Sequence, residues 1–209
     1  MVEVTMNELN QKIPVILNLG FRESAIPSLK AYIELLWRAN EELNLFSRQM
    51  PFTDLINNHL IDCLLPLKSL PKDIKSVADF GSGGGLPGVL YAINFPDVQF
   101  HLYEKSPKKQ AFLKRCSAIA PNLRVHGEIP VDLNGIDLVI ARAFKPTDVI
   151  LEMSRSYYLK GGRFFLLKGR REKIEEELAD AIKKFKDLKA EIIPLSSPVL
   201  DVERHLVLI

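Results

Sequence analysis

The chain has 209 residues, 47% hydrophobic and 26% charged, which is enough for one sizeable core with a small appendage and unlike the composition of a disordered chain. No apolar run is long enough to span a membrane, and the opening MVEVTMNELNQK, with two acids and no apolar stretch, does not read as a signal peptide. The net charge of +2 is uneven: residues 1–104 hold 8 Lys+Arg against 12 Asp+Glu, residues 105–173 hold 15 against 6, and residues 174–209 hold 5 against 8. A basic middle between acidic ends is a polyanion footprint, so nucleic acid enters as a partner class.

Residues 1–72 read as a helical N-terminal extension. A first helix is predicted over residues 5–17. Leu29, Ile33, Leu36 and Trp37 then recur at helical spacing, and FTDLINNHLIDCLLPL gives another amphipathic helix between Pro51 and Pro66. From residue 73 to 209 the pattern alternates. Strand-like SVADF, VQFHLYE, LRVHG, IDLVIA and RFFLLK are separated by helical LPGVLYAIN, PKKQAFLKRCSAI and stretches near 147–159 and 171–187. AEIIPL and RHLVLI follow with no helix between them. This predicts an α/β fold with a mainly parallel, doubly wound sheet and an antiparallel hairpin at one edge. No surplus apolar helix face is evident, which predicts a monomer.

Cys63 and Cys116 have neither CxxC nor Cys/His spacing, which suits packed thiols in a reducing cytoplasm. No His pair has metal-ligand spacing, so no metal is expected. His59, three residues before Asp62, reads as a surface hydrogen bond. There is no P-loop signature.

The chemistry begins at DFGSGGG. A strand, a glycine turn and a helix make a nucleotide cradle, because glycine permits positive φ and close approach to a ligand. The dinucleotide pattern GxGxxG fits only at Gly83, Gly85 and Gly88, too far into the helix, and Pro87 removes a donor. A second reading starts at Asp79, with glycines at 81, 83 and 85. S-adenosyl-L-methionine is a cation with an amino-acid tail and no phosphate, so its site wants acids at strand tips. Asp79, Glu104 and Glu128 end three successive strands, on the face where open α/β sheets bind ligands. Glu104 is placed to accept from ribose hydroxyls, and Glu128 lies near the adenine edge.

The fourth strand ends in Ala141-Arg142-Ala143-Phe144. It has no Pro-Pro to hold an exocyclic amine and no Pro-Cys for attack on a pyrimidine carbon. The acceptor implied already exposes a lone pair, and guanine N7 is such an atom. It has no proton to lose, so no general base is needed, and no catalytic side chain is expected beyond positioning groups. Arg142 and Lys168, at strand ends, are candidates to hold phosphate or the guanine edge, and Phe144 to stack on a base or pack in the core.

Asn44-Leu45, His59-Leu60-x-Asp62, DFGSGGGLPG, Arg142-Ala143, Lys168-Gly169 and Glu203-Arg204-His205-Leu206-Val207, taken together and in this order, resemble the ribosomal RNA small subunit methyltransferase G (glucose-inhibited-division protein B) family. The resemblance covers most of the chain. It implies a class I methyltransferase (Rossmann-like) fold of seven strands with a C-terminal antiparallel hairpin. It also implies S-adenosylmethionine-dependent methylation of a guanine N7 in bacterial 16S rRNA, free or in the small ribosomal subunit. By motif position it implies Gly81, Leu86, Gly127, Glu128 and Arg142 as cofactor contacts, beside Asp79, Gly83 and Glu104 from the residues themselves. Arg142 thus stands on both the cofactor and the RNA side. The chain departs from the family at His126-Gly127, where many members carry Arg and a small apolar residue, and it lacks the basic residues that often follow the last strand.

Overall fold

A computed structural model describes residues 2–209, with side chains from Met6 onward. Three helical stretches come first. The first two are α1 (Val2–Asn18) and α2 (Ile26–Leu43). Pro27 sits in the first turn of α2, where its missing N–H costs nothing, and Asn44 at φ 53° ends the helix. The third stretch starts as α3 (Phe52–Asp54), winds as a π-helix over Leu55–Ile61, and returns to α winding in α4 (Asp62–Leu64). The sequence predicts an ordinary helix here. The π winding follows a different period: Leu55 and Ile56 are buried, and so are Leu60 and Ile61, each five residues on.

The sheet has seven strands: β1 (Ser76–Phe80), β2 (Gln99–Tyr103), β3 (Leu123–His126), β4 (Leu138–Arg142), β5 (Arg163–Lys168), β6 (Glu191–Leu195) and β7 (Arg204–Leu208). Their order is β3-β2-β1-β4-β5-β7-β6. β1 through β5 pair in parallel, and β7 pairs antiparallel with both β5 and β6. The terminal hairpin is therefore inserted, with β7 inside and β6 at the edge, where Pro194 costs no ladder partner. Helices α5 (Gly88–Asn94), α6 (Pro107–Cys116), α7 (Thr147–Met153), α8 (Arg155–Leu159) and α9 (Arg171–Lys184) connect the strands. The predicted helix near 147–159 is broken at Ser154 (φ −122°, ψ 35°), whose buried hydroxyl donates to the Ile150 carbonyl.

One apolar cluster runs from Leu9, Leu29 and Ile33 through Leu60 and Leu64 to Val77, Phe100 and Phe165, so the N-terminal helices and one sheet face share a core. A second cluster lies under α7–α9. Both faces of β1 are covered, which is why SVADF reads as a nearly continuous apolar run. No helix of the described residues is long and apolar enough to cross a membrane.

Candidate active site

The β1 tip opens into the glycine turn. Gly81, Gly83 and Gly85 have φ of 73°, 54° and 91°, a region that residues with a Cβ enter only at a cost. Four donors of this turn are spent on protein. Gly81 and Ser82 N–H donate to the Tyr103 carbonyl at 2.9 and 3.1 Å, Gly83 N–H to Glu104 Oε2 at 3.0 Å, and Gly85 N–H to the Ser82 carbonyl at 2.6 Å. Glu104 Oε1 accepts from Ser106 N–H at 2.8 Å. The acid predicted to meet a ribose thus also fixes the turn, with lone pairs to spare on both oxygens.

A cavity of about 410 Å³ lies over this turn. Gly81, Gly83, Leu86, Glu104, Gly127, Arg142 and Phe144 all line it, so these predicted residues come together. Asp79 does not reach it. Its carboxylate is 1% exposed beneath the turn, against Gly88, where a Cβ would stand 2.4 Å from Asp79 Oδ2. Oδ2 has no hydrogen-bond partner among the described residues, and burial pushes the Asp79 pKa up to about 7, against the pull of Ser82, the Gly88 N–H and the Arg142 charge. Glu128 is exposed and stands outside the lining, between Gly127 and Ile129, which are part of it. Sequence reasoning missed Tyr103, Leu36, Phe46 and His59 in the wall. The last three come from the helical extension, and no local pattern says which of its residues reach the strand tips.

Arg142 closes one end of the cavity. Its Nη1 donates to Asp62 Oδ2 at 3.2 Å and its Nη2 to His59 Nδ1 at 2.9 Å. Asp62 Oδ1 accepts from Arg204 Nε at 2.5 Å. The His59–Asp62 spacing is therefore a buried arginine clamp and not a surface bond. Burial first, and then the Arg142 charge, lower the His59 pKa to about 4, so the imidazole is neutral.

A second cavity of about 410 Å³ shares Arg142, Ala143 and Phe144 with the first and is otherwise lined by Lys145, Lys168, Glu177, Arg204 and His205, among others. Ala143, at φ 50°, turns the chain so that Phe144 lies over the glycine turn. A Cβ on Gly81 would stand 2.2 Å from its ring. Phe144 is thus a partition between two chambers, with its edge against Phe80.

Of the two chambers Lys168 lines the second, and its ammonium is engaged. Nζ donates to Glu177 Oε2 at 2.6 Å and to the Lys145 carbonyl at 3.1 Å, and the same carboxylate oxygen accepts the Thr147 N–H and hydroxyl at 2.9 Å each. Both side chains of the pair are 13% exposed. Lys168→Met is expected to destabilise the fold by about 2–3 kcal/mol in urea unfolding, less than a fully orphaned buried charge because Thr147 still donates twice. An unchanged midpoint with weakened RNA binding would instead make Lys168 a substrate cation. Cys63 and Cys116 are buried, and burial raises both thiols to a pKa of about 12, so neither is a nucleophile at neutral pH.

Residues 25–207 match the sequence profile of the family described as GidB: rRNA small subunit methyltransferase G. A "Ribosomal RNA small subunit methyltransferase G 1" from Bdellovibrio bacteriovorus is 69% identical over 196 residues, covering 94% of this chain and 96% of that protein. A "Ribosomal RNA small subunit methyltransferase G" from Cupriavidus metallidurans is 31% identical, covering 92% and 88%. Among solved structures, a putative O-methyltransferase from Klebsiella pneumoniae aligns with TM-score 0.54 at 14% identity, over 85% of this chain and 88% of that one. At that identity the likeness concerns the fold.

Proposed function

The chain belongs to the rRNA small subunit methyltransferase G family, and from that premise we propose that it transfers a methyl group from S-adenosylmethionine to N7 of a guanine in 16S rRNA. The observation that carries this reading is the pair of chambers meeting at Arg142, Ala143 and Phe144. One is edged by the glycine turn and a carboxylate; the other is rich in cations.

The residues present fit this cofactor better than a dinucleotide. A pyrophosphate needs free backbone donors at the turn. Here the N–H groups of Gly81, Ser82, Gly83 and Gly85 are committed to protein acceptors. Glu104 also sets a carboxylate at the turn, which favours a cationic ligand. When bound, the cofactor supplies an electrophilic methyl on a sulfonium. Gly81, Gly83, Leu86, Glu104, Gly127 and Arg142 would hold it, with Glu104 accepting from the ribose hydroxyls.

The acceptor side follows from the second chamber. Arg142, Lys145 and Arg204 offer donors suited to phosphate and to the O6/N7 edge of guanine. N7 carries a lone pair and no proton, so the chain need supply only alignment and exclusion of water. His59, in the cofactor chamber, has its Nδ1 lone pair occupied by Arg142, which supports a positioning role for it over that of a base. The basic stretch 105–173 supplies the long-range attraction for RNA.

The test is methyl transfer from a labelled donor to 16S rRNA lacking the modification, with the product mapped by cleavage at 7-methylguanine. Label appearing on another atom, or none appearing, would overturn the proposal. Glu104→Ala is expected to weaken S-adenosylhomocysteine binding in calorimetry by about 1–3 kcal/mol, through lost ribose bonds and a loosened Gly83. Unchanged affinity would remove Glu104 from the cofactor's neighbours.

A further inference from the structure

His59 and Asp62 bind no substrate in the reading above, yet they grip the arginine where the two chambers meet. We infer that His59 is a positioning residue for the cofactor and acceptor site: with Asp62 it forms a brace, carried by the N-terminal helical segment, that fixes the Arg142 guanidinium across the boundary of the two chambers. The inference rests on the methyltransferase reading for what the site binds, but not for the brace itself.

The geometry is specific. A guanidinium only donates, so the 2.9 Å contact from Arg142 Nη2 requires His59 Nδ1 to accept. The imidazole proton then sits on Nε2, and the ring is uncharged. A protonated ring could not accept, and would repel Arg142. Asp62 divides its two oxygens between Arg142 and Arg204, from β4 and β7. One carboxylate between two guanidiniums leaves an excess of positive charge at the boundary. A second carboxylate in place of His59 would cancel that excess, whereas a neutral acceptor holds the arginine and preserves it.

The arginine is held on one side only. Nη1 and Nη2 are fixed, while Nε is buried with no hydrogen-bond partner among the described residues, although Arg142 lines both chambers. The π-wound turn Leu55–Ile61 carries His59 and hands over directly to Asp62 in α4, while Leu55, Ile56, Leu60 and Ile61 anchor the turn in the core. The extension therefore contributes to the site itself, beyond covering the sheet.

The test is a double-mutant cycle read by calorimetric titration with S-adenosylhomocysteine, which requires no RNA. His59→Leu is expected to weaken binding about tenfold, the scale of one lost hydrogen bond to a charged group. In an Arg142→Met background the same change should matter less than about twofold, because the group His59 positions is gone. His59→Asn, whose Oδ1 can replace Nδ1 as acceptor, should restore affinity to within about threefold of wild type. An equal loss in both backgrounds, no loss from His59→Leu, or Asn failing as fully as Leu would each overturn the brace. Should His59→Leu not fold, His59→Gln serves in the same cycle, its acceptor lying one bond too far out. A wild-type chain that binds S-adenosylhomocysteine but methylates no RNA removes the substrate reading and leaves the brace standing.

Discussion

Gly81→Ala is expected to lower the stability of the fold by several kcal/mol and to reduce S-adenosylhomocysteine affinity at least about a hundredfold, the equivalent of about 3 kcal/mol. Two costs combine. The backbone at Gly81 has φ 73°, where an L-residue loses about 1–2 kcal/mol. The new methyl would also stand 2.2 Å from the Phe144 ring, an overpacking that costs about 1–3 kcal/mol more. Phe144 must leave the partition, and the turn that cradles the cofactor must shift with it. The combination Gly81→Ala with Phe144→Ala separates the terms: it should recover the steric part and leave the backbone part. Wild-type melting and wild-type affinity in Gly81→Ala would mean that the turn and the partition are not in contact as described.

The sheet was legible because burial on both faces leaves a direct mark: SVADF, IDLVIA and RFFLLK are apolar almost throughout, and each lies within one residue or two of a strand. The insertion of β7 between β5 and β6 was not legible, since adjacent strands in sequence look the same whichever takes the edge. The glycine turn could be read from spacing alone because positive φ demands glycine. Asp79 and Glu104 have the same sequence setting, an acid at a strand end. Only packing separates them: Gly88 closes over Asp79, while Glu104 faces the cavity and ties down Gly83 and Ser106. Glu128 shares that setting as well and is exposed. Arg142, Asp62 and Arg204 lie 80 and 142 residues apart along the chain, and no local pattern joins such partners. The motif pieces that carried the family resemblance meet here all the same. Glu203 accepts the Arg171 N–H at the start of α9, Arg204 reaches Asp62, and His205 bonds the Gly169 carbonyl, so the closing motif secures the wall of the second chamber.

Asp79→Asn should remove the pH dependence that a buried carboxylate imposes on this fold. The native pKa of Asp79 is raised to about 7 by burial, against 3.8 ordinarily. Between those values the unfolded chain releases its proton while the native chain keeps it. The stability associated with Asp79 is therefore fully present below pH 4, and is lost as pH rises through 7, at about 1.4 kcal/mol per pH unit. Relative to wild type, Asp79→Asn should accordingly gain about 3 kcal/mol between pH 5 and pH 8.5 in urea unfolding, whatever fixed offset the new amide introduces. His59 acts in the opposite sense. With its native pKa lowered to about 4, it favours the folded state above pH 6.5 and loses that contribution as pH falls, so the wild-type dependence is partly cancelled where the two ranges overlap. The variant removes only the Asp79 limb. The same charge has a functional counterpart, because a cationic ligand above the turn favours ionised Asp79 even without contact. The affinity for S-adenosylmethionine should rise through pH 7 in wild type and stay flat in Asp79→Asn, while S-adenosylhomocysteine, a zwitterion without the sulfonium charge, shows a smaller rise. Parallel profiles for the two ligands in both proteins would mean that Asp79 serves the turn by shape alone, and that the acid sensing the sulfonium is Glu104.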